Sequence, residues 1–140
     1  MKKYVKYGVI TALAVSLAGM FMFYYVNKPK ASIVRKQPDV IMSPQKLLSE
    51  FTTDEEAANV KYLDKIIEVS GKVASKNLNA NKVTILMDTG DPMSNVTCEL
   101  NSKETEKSSA IETGSIVEIK GICTGMLTDV VLVDCIILNN

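Results

Sequence analysis

The segment Lys65-Ile-Ile-Glu-Val-Ser-Gly-Lys-Val73 decides the fold, because its apolar and polar residues alternate. A period of two is typical of a strand that buries one face and exposes the other. Gly71 lies in the middle of this pattern, and a glycine inside a strand favours a bulge or a sharp bend. We therefore expect a long, bent first strand that begins the main body of the fold at residue 65.

Four more strands are expected after this segment. They are indicated by alternation in three stretches and by one nearly continuous apolar run: residues 83–87, 96–100, 117–123 and 130–138. Residues 102–112 are polar and predict a short helix between the third and fourth strands. Three strands, a short helix and two strands is the order of the five-stranded OB barrel. A five-stranded antiparallel sandwich would not need the helix, so we expect a mainly β, OB-fold barrel over residues 65–140.

A helical lead-in is expected directly before the barrel, over residues 43–64. Ser43 and Pro44 are typical of a helix start, with serine as the N-cap and proline at the first helical position. Thr53 followed by Glu56 fits a capping box. The pattern predicts two short helices or one broken helix, with small apolar faces that need a surface to pack on.

The N-terminal segment carries an uncharged, mostly apolar stretch that follows three lysines. About 20 helical residues span the roughly 30 Å hydrocarbon core of a membrane. We therefore expect an uncleaved signal-anchor over residues 1–27, a transmembrane helix with residues 7–26 in the membrane, and a tether over residues 28–42. Cleavage after Ala18 as a signal peptide is the alternative. Lipoprotein processing is disfavoured, because Met20 stands where the lipidated cysteine is required.

The orientation of this anchor is not decided by the positive-inside rule, because positive charges flank the apolar stretch on both sides. The very short basic N-terminal tail is typical of a bacterial export signal. We therefore expect a single-pass protein of the bacterial inner membrane, with its N-terminus inside and its soluble domain in the periplasm.

The charges are segregated along the chain, although 16 basic and 16 acidic residues give a formal net charge of zero. The first 30 residues carry five lysines and no acid, so the remainder carries 11 basic and 16 acidic residues, a net charge of −5. Six of the eight aromatic residues lie in the first 25 positions. An OB surface that binds single-stranded nucleic acid needs a cationic groove and aromatic stacking platforms. The sequence therefore argues against a nucleic-acid partner.

The residue types that support catalysis or metal binding are scarce. The chain contains no histidine, which excludes a histidine-dependent triad and a histidine-ligated metal site. Its three cysteines form no C-x-x-C pair, so a zinc site is disfavoured. No nucleophile–base pattern is present. We expect a protein that is not an enzyme and that has no cofactor or metal.

Two stretches carry a resemblance to a known family. One extends from Leu47 to Val73 and covers the lead-in and the first strand; the other extends from Val117 to Cys135 and contains a Cys-Thr-Gly…Asp…Cys pattern. Together they resemble the tRNA-anticodon-like OB-fold family of bacterial membrane-attached proteins, also described as OB-fold lipoproteins. The resemblance covers roughly residues 44–138. It implies an OB fold and attachment to the cell envelope, and it carries over no catalytic residue.

The three cysteines, Cys98, Cys123 and Cys135, are all expected to point to the apolar side. They are either buried thiols, which behave as small hydrophobes, or they include one disulfide, which an exported domain permits. A hairpin about residues 125–129 would leave Cys123 and Cys135 roughly 13 Å apart along the strand, too far for a bridge. The third and fifth strands of an OB barrel are neighbours, so Cys98 and Cys135 are the better-placed pair.

The function expected from these patterns is that of a membrane-anchored, envelope-facing binding module whose partner is a protein or an envelope glycan. The alternative is an oligonucleotide-binding OB domain. Contacts are expected through three loops, at residues 77–82, 88–94 and 125–129. The candidate contact residues in these loops are Asn79, Asp88, Asp91, Met126 and Asp129. Asp88 and Asp91 lack the ligand count of a calcium loop and are expected to belong to a polar turn.

Overall fold

The computed structural model of the chain describes residues 14–24, 33–80 and 82–139. The chain divides into two compact units, Met1–Ala31 and Ser32–Asn140. In the first unit, residues 14–24 are helical and exposed. None of the helices in the described part of the chain is both long enough and apolar enough to span a membrane. The remainder of the predicted membrane segment, residues 7–13 and 25–26, lies outside the described residues.

The second unit contains six strands and three helices within its described residues. In chain order they are β1 (Val40–Met42), α1 (Pro44–Thr53), α2 (Glu55–Tyr62), β2 (Ile66–Asn79), β3 (Lys82–Met87), β4 (Val96–Leu100), α3 (Thr105–Ser108), β5 (Ile116–Met126) and β6 (Val130–Asn139). Two short 3₁₀ turns, Ile33–Arg35 and Ser102–Glu104, precede β1 and α3.

Strands β2 to β6 close into a five-stranded barrel, which confirms the predicted mainly β fold. The sheet order is β1-β2-β3-β4-β6-β5, and an additional pairing of β2 with β5 closes it. The first half of β2 pairs with β5 and its second half pairs with β3. A strand of 14 residues is long enough to pair with both neighbours, and its ladder with β3 shifts between Val73 and Ser75. The predicted helix between the third and fourth barrel strands is present as α3, shorter than expected.

Gly71 has a packing role, and the irregularity of β2 lies just after it, between Val73 and Ser75. It pairs regularly with Val117 of β5. A Cβ atom at Gly71 would lie 2.7 Å from Cγ of Pro44, the first residue of α1. Cβ atoms do not approach other carbon atoms that closely, so the glycine permits the start of α1 to lie directly on β2.

The helical lead-in forms two helices that share a junction at Asp54. Ser43 caps α1 by accepting a 3.3 Å hydrogen bond from the Lys46 amide. Asp54 ends α1 and also caps α2, accepting a 3.0 Å hydrogen bond from the Ala57 amide. The α2 cap is therefore Asp54 and not Thr53, which the capping-box pattern indicated. Phe51 and Tyr62 pack against each other and are buried with the barrel core.

The segment before α1 packs on the barrel within the second unit, and we call residues 33–42 the strap. Ile33 is buried in a small cluster with Ile66, Ile122 and Ile136. Strand β1 adds a parallel sixth strand to the first half of β2. Lys120 is only 6% exposed, and its ammonium donates a 2.8 Å hydrogen bond to the Lys36 carbonyl. The region predicted as a tether, residues 28–42, therefore contains regular structure from Ile33 onward.

Candidate binding groove

An open groove of about 670 Å³ lies on the barrel surface beside the end of α2, and we call it the end groove. Its walls are residues 124–127 at the end of β5, Asn59 and Leu63 from α2 and the residues after it, Glu99 of β4 and Val131 of β6. Leu127 is 93% exposed and Leu63 is 45% exposed. The groove therefore offers large apolar side chains to solvent, with Glu99 as its only ionisable wall residue.

Gly125 shapes the wall of the end groove that faces α2. Its φ of 100° lies in the left-handed region that glycine adopts without strain. A Cβ atom at this position would lie 3.0 Å from Oδ1 of Asn59 and 3.7 Å from Cδ1 of Leu63. The glycine therefore permits β5 to turn into the β5–β6 corner while the end of α2 stays close to it.

Asp129 joins the predicted contact loop of residues 125–129 to the chain that directly follows the predicted loop of residues 88–94. Its carboxylate accepts hydrogen bonds from the amide of Asn95 at 2.9 Å and from the hydroxyl of Thr97 at 2.8 Å. The Val130 amide also donates to the Asn95 carbonyl at 3.1 Å. The loop before β4 and the turn before β6 are thus held as one end of the barrel. Met126 lies in the same corner and lines the end groove.

Asp88 and Asp91 serve their own loop, as a polar turn requires. The Asp88 carboxylate accepts from the Gly90 amide at 2.9 Å. The Asp91 carboxylate accepts from the amides of Met93 and Ser94 at 2.7 and 3.1 Å. These bonds use the carboxylates to fix the loop, and Met93 is left 80% exposed beside them.

Asn79 does not join this group of residues. It pairs with Lys82 where β2 runs into β3, whereas residues 88–94 follow the other end of β3. The length of β3 therefore separates Asn79 from Met93. The structure brings together Met126, Asp129 and the loop of Asp88 and Asp91, and it leaves Asn79 apart from them.

The outer face of β3 and β4 is neutral and has no aromatic side chain. Thr84 lies opposite Glu99, and Leu86 lies opposite Thr97. Lys82 and Glu99 form an ion pair at 3.7 Å. Phe51 and Tyr62 are the only aromatic residues after residue 25, and both are buried. This face therefore lacks the stacking platforms that single-stranded nucleic acid uses.

A group of hydrogen-bonded side chains with shifted pKa values lies between α1 and α2, and the sequence did not predict it. Glu50 accepts hydrogen bonds from the Lys61 ammonium at 2.8 Å and from the Tyr62 hydroxyl at 2.5 Å. These two bonds lower the pKa of Glu50, and the Glu50 carboxylate raises the pKa of Lys61. Burial, followed by the bond to Glu50, raises the pKa of Tyr62. Since all three groups are used to join the two helices, we assign them a structural role.

The three cysteines are free and fully buried, with 0% exposure at each. Burial, followed by the neighbouring Cys98 thiol, raises the pKa of Cys135 well above its ordinary value. Cys98 is thus part of the immediate environment of Cys135. Across residues 14–24, 33–80 and 82–139, no three cysteine, aspartate or glutamate side chains are grouped so that they could hold a metal ion.

Comparison with known proteins agrees with this architecture. A provisionally named nucleic acid-binding lipoprotein from Klebsiella pneumoniae subsp. pneumoniae matches with a TM-score of 0.58 and 18% identity, over 71% of this chain and 92% of that chain. A provisionally named aspartyl-tRNA synthetase from Leishmania major matches with a TM-score of 0.50 and 12% identity, over 79% of this chain and 22% of that chain. Likeness at such identities shows the fold alone.

The family is shown by a match along most of the sequence. Among curated proteins, none matches the chain significantly. The family model described as tRNA_anti-like, in contrast, matches residues 1–137, which include the lead-in helices, four of the barrel strands and most of β6. This agrees with the resemblance seen in the sequence and with the closed barrel that pairs β2 with β5. The chain belongs to the tRNA_anti-like family.

Proposed function

We propose that this protein is a non-catalytic binding module that holds an apolar segment of a protein partner in the end groove. The observation that carries the proposal is the exposure of Leu127, 93%, beside Leu63 and Met126 in a groove of about 670 Å³. Large apolar side chains grouped on a soluble surface mark interaction sites. The groove lies at the loop between the fourth and fifth barrel strands, a loop through which OB folds bind oligonucleotides and oligosaccharides.

A protein segment suits this groove better than an envelope glycan does. Its walls carry few polar side chains, chiefly Asn59, Thr124 and Glu99. The hydroxyl groups of a glycan need hydrogen-bond partners when they leave water, at a cost of about 1–3 kcal/mol for each that finds none. An apolar side chain from a partner gains free energy on burial there without needing such partners.

Oligonucleotide binding is the second candidate function. It is favoured by the name of the Klebsiella pneumoniae protein, which shares the fold. Against it stand the net charge of −5 after residue 30 and the burial of Phe51 and Tyr62. Each absent base stack forgoes about 1–3 kcal/mol, and the average electrostatic interaction with a phosphate backbone is repulsive.

We also propose that residues 7–26 anchor the protein in a bacterial inner membrane with the barrel in the periplasm. The uncharged apolar stretch after Lys2, Lys3 and Lys6 supports this location. The anchor would hold the end groove near partners of the same membrane. The test is protease protection in intact spheroplasts: digestion of the barrel from outside is expected, and full protection would contradict the orientation.

The binding proposal is tested with the full chain in detergent and two matched variants. Leu127→Glu places a charge in the end groove, and Leu78→Glu places one on a leucine that is 70% exposed outside it. Partners that copurify with the wild type are expected to be retained by Leu78→Glu and reduced at least tenfold in Leu127→Glu. Equal retention by both variants would contradict the proposed site. Micromolar affinity for a labelled single-stranded oligonucleotide, at about 50 mM salt, would favour the second candidate.

A further inference from the structure

Cys98 and Cys135 lie on two barrel strands that pair in parallel. In the ladder between β4 and β6, Cys98 is opposite Leu132 and Leu100 is opposite Cys135. Both cysteines are free and have no exposed surface. They face the same interior, and Cys98 is close enough to act on the ionisation of Cys135. The core therefore contains a pair of neighbouring thiols.

A bulge in β6 brings Cys135 to this position. Asp134 has a φ of 57°, and the ladder shifts at this point relative to β4. Val130 and Leu132 are buried before the bulge, and Cys135 and Ile137 are buried after it. On the neighbouring strand, Gly121 leaves the space for the thiol, since a Cβ atom there would collide with Sγ of Cys135.

Cys123 is separated from Cys98 by a side chain of the intervening strand. Cys123 lies on β5 and pairs with Leu132 of β6. On the other side of β6, Leu132 pairs with Cys98 of β4. Leu132 is fully buried. A bond between Cys98 and Cys123 would have to displace Leu132, so Cys123 serves as an internal control for the partner of Cys98.

We propose that Cys98 and Cys135 are the site of an intramolecular disulfide, formed with a protein disulfide of the thiol-oxidase class as the oxidant. One thiolate attacks the oxidant's disulfide to give a mixed disulfide. The second thiolate then attacks the sulfur of the first cysteine and displaces the oxidant. The pair loses two protons and two electrons, one S–S bond forms in the barrel, and the oxidant leaves as a dithiol.

Burial determines when this bond forms. The attacking species is the thiolate, and desolvation raises the pKa of Cys135 well above its ordinary value. The folded core also excludes an oxidant protein. The bond therefore forms before the barrel closes, and its presence records the redox condition in which the chain folded. Once formed, it joins the strands that carry Glu99 and Val131 of the end groove.

The experiment refolds the full chain from denaturant in a glutathione redox buffer, then alkylates free thiols and maps the peptides by mass spectrometry. We expect a Cys98–Cys135 linked peptide and an alkylated Cys123. The folded, reduced protein in the same buffer is expected to oxidise at least tenfold more slowly. Three alkylated cysteines after oxidative refolding, or a bond that contains Cys123, would overturn the assignment.

The melting temperature is a second readout, in which the oxidised form of each protein is compared with the reduced form of the same protein. Closing a loop of about 38 residues is expected to raise the melting temperature of the oxidised form by at least about 10 °C over the reduced form. Cys123→Ala should keep this difference, and Cys98→Ala should lose it. An absence of any difference in the wild type would contradict the proposal.

Alkylation of free thiols in intact cells tests the disulfide proposal independently of the proposal that the barrel is periplasmic. A linked pair in protein isolated from the envelope agrees with both proposals. Free thiols in the cell, combined with a linked pair after oxidative refolding, would contradict the periplasmic location while the assignment of the pair stands.

Discussion

Asp129 is bonded to Asn95 across the end of the barrel, with its Oδ1 atom accepting a 2.9 Å hydrogen bond from the Asn95 amide. The same carboxylate accepts from the Thr97 hydroxyl. One side chain therefore fixes the turn before β6 against the start of β4. This contact holds Leu127 and the corner of the end groove in place, although Asp129 does not line the groove.

Asp129→Ala is expected to destabilise the protein by about 1–3 kcal/mol, because it leaves a partly buried amide and a hydroxyl without their acceptor. Urea unfolding followed by circular dichroism measures this. Asp88→Ala is the matched control, since that carboxylate accepts only from its own loop; its cost should stay below about 1 kcal/mol. Equal costs for the two variants would contradict the role given to Asp129.

Gly71→Ala is expected to destabilise the protein by about 1–3 kcal/mol, because the new Cβ atom would lie 2.7 Å from Cγ of Pro44. The cost should fall by more than half when the same change is made in a Pro44→Ala background, where the colliding ring is absent. A double-mutant cycle from urea unfolding measures this coupling. Simple additivity of the two changes would show that α1 does not depend on this contact.

The ion pair between α1 and α2 predicts a pH dependence. The folded pKa of Glu50 lies below its unfolded value because Lys61 and Tyr62 donate to it. Its contribution is therefore present above the unfolded pKa and is lost as the pH falls through the folded pKa. Since the side chains of Glu50 and Lys61 are 29% and 59% exposed, solvent screening keeps this contribution small.

Glu50→Gln should therefore lower stability at pH 7 and approach the wild type near pH 3, measured by urea unfolding at both values. Glu55→Gln, a change at an exposed acid on the first turn of α2, is the control. It is expected to lower stability at pH 7 less than Glu50→Gln does. A Glu50→Gln deficit that persists undiminished at pH 3 would exclude the carboxylate as its source.

Ile33→Ala is expected to release the strap and leave the barrel closed. Ile33 is 4% exposed in a cluster outside the main core, and the loss of its side chain removes the apolar contact that supports the Lys120–Lys36 bond. Hydrogen exchange should become at least tenfold faster in residues 33–42. The amides of β6 should keep their protection. Loss of protection throughout the barrel would show that the strap is part of its folding unit.

The sequence predicted the barrel well where alternation was clear and less well where local signals were absent. Apolar residues alternate with polar ones in four strands, and most of these apolar residues are buried in the structure: β2, β3, β4 and β5. The strap was assigned to a tether because a three-residue strand and a single 3₁₀ turn have no periodicity of their own. Its position depends on Ile66 and Lys120, which are distant in sequence.

The candidate site was predicted only in part, because contacts between residues that are distant in sequence leave no local pattern. Asp129 and Met126 were chosen from the turn chemistry of residues 125–129, and the structure places both at the end groove or beside it. Leu63 and Asn59 were missed, because their role follows from the approach of α2 to Gly125. The sequence also did not predict the bulge at Asp134. In an apolar run without alternation, no pattern shows where the buried side of the strand changes.

The most direct test of a protein partner at the end groove is photo-crosslinking in native membranes. A photoreactive amino acid replaces Leu127. The control carries the same amino acid in place of Leu78, which is exposed outside the end groove. We expect a discrete adduct at position 127 that protease removes and nuclease does not. Leu63→Glu should reduce the yield of this adduct at least tenfold, and position 78 should give no adduct. Adducts of equal yield at both positions, or an adduct at Leu127 that nuclease removes, would contradict this proposal.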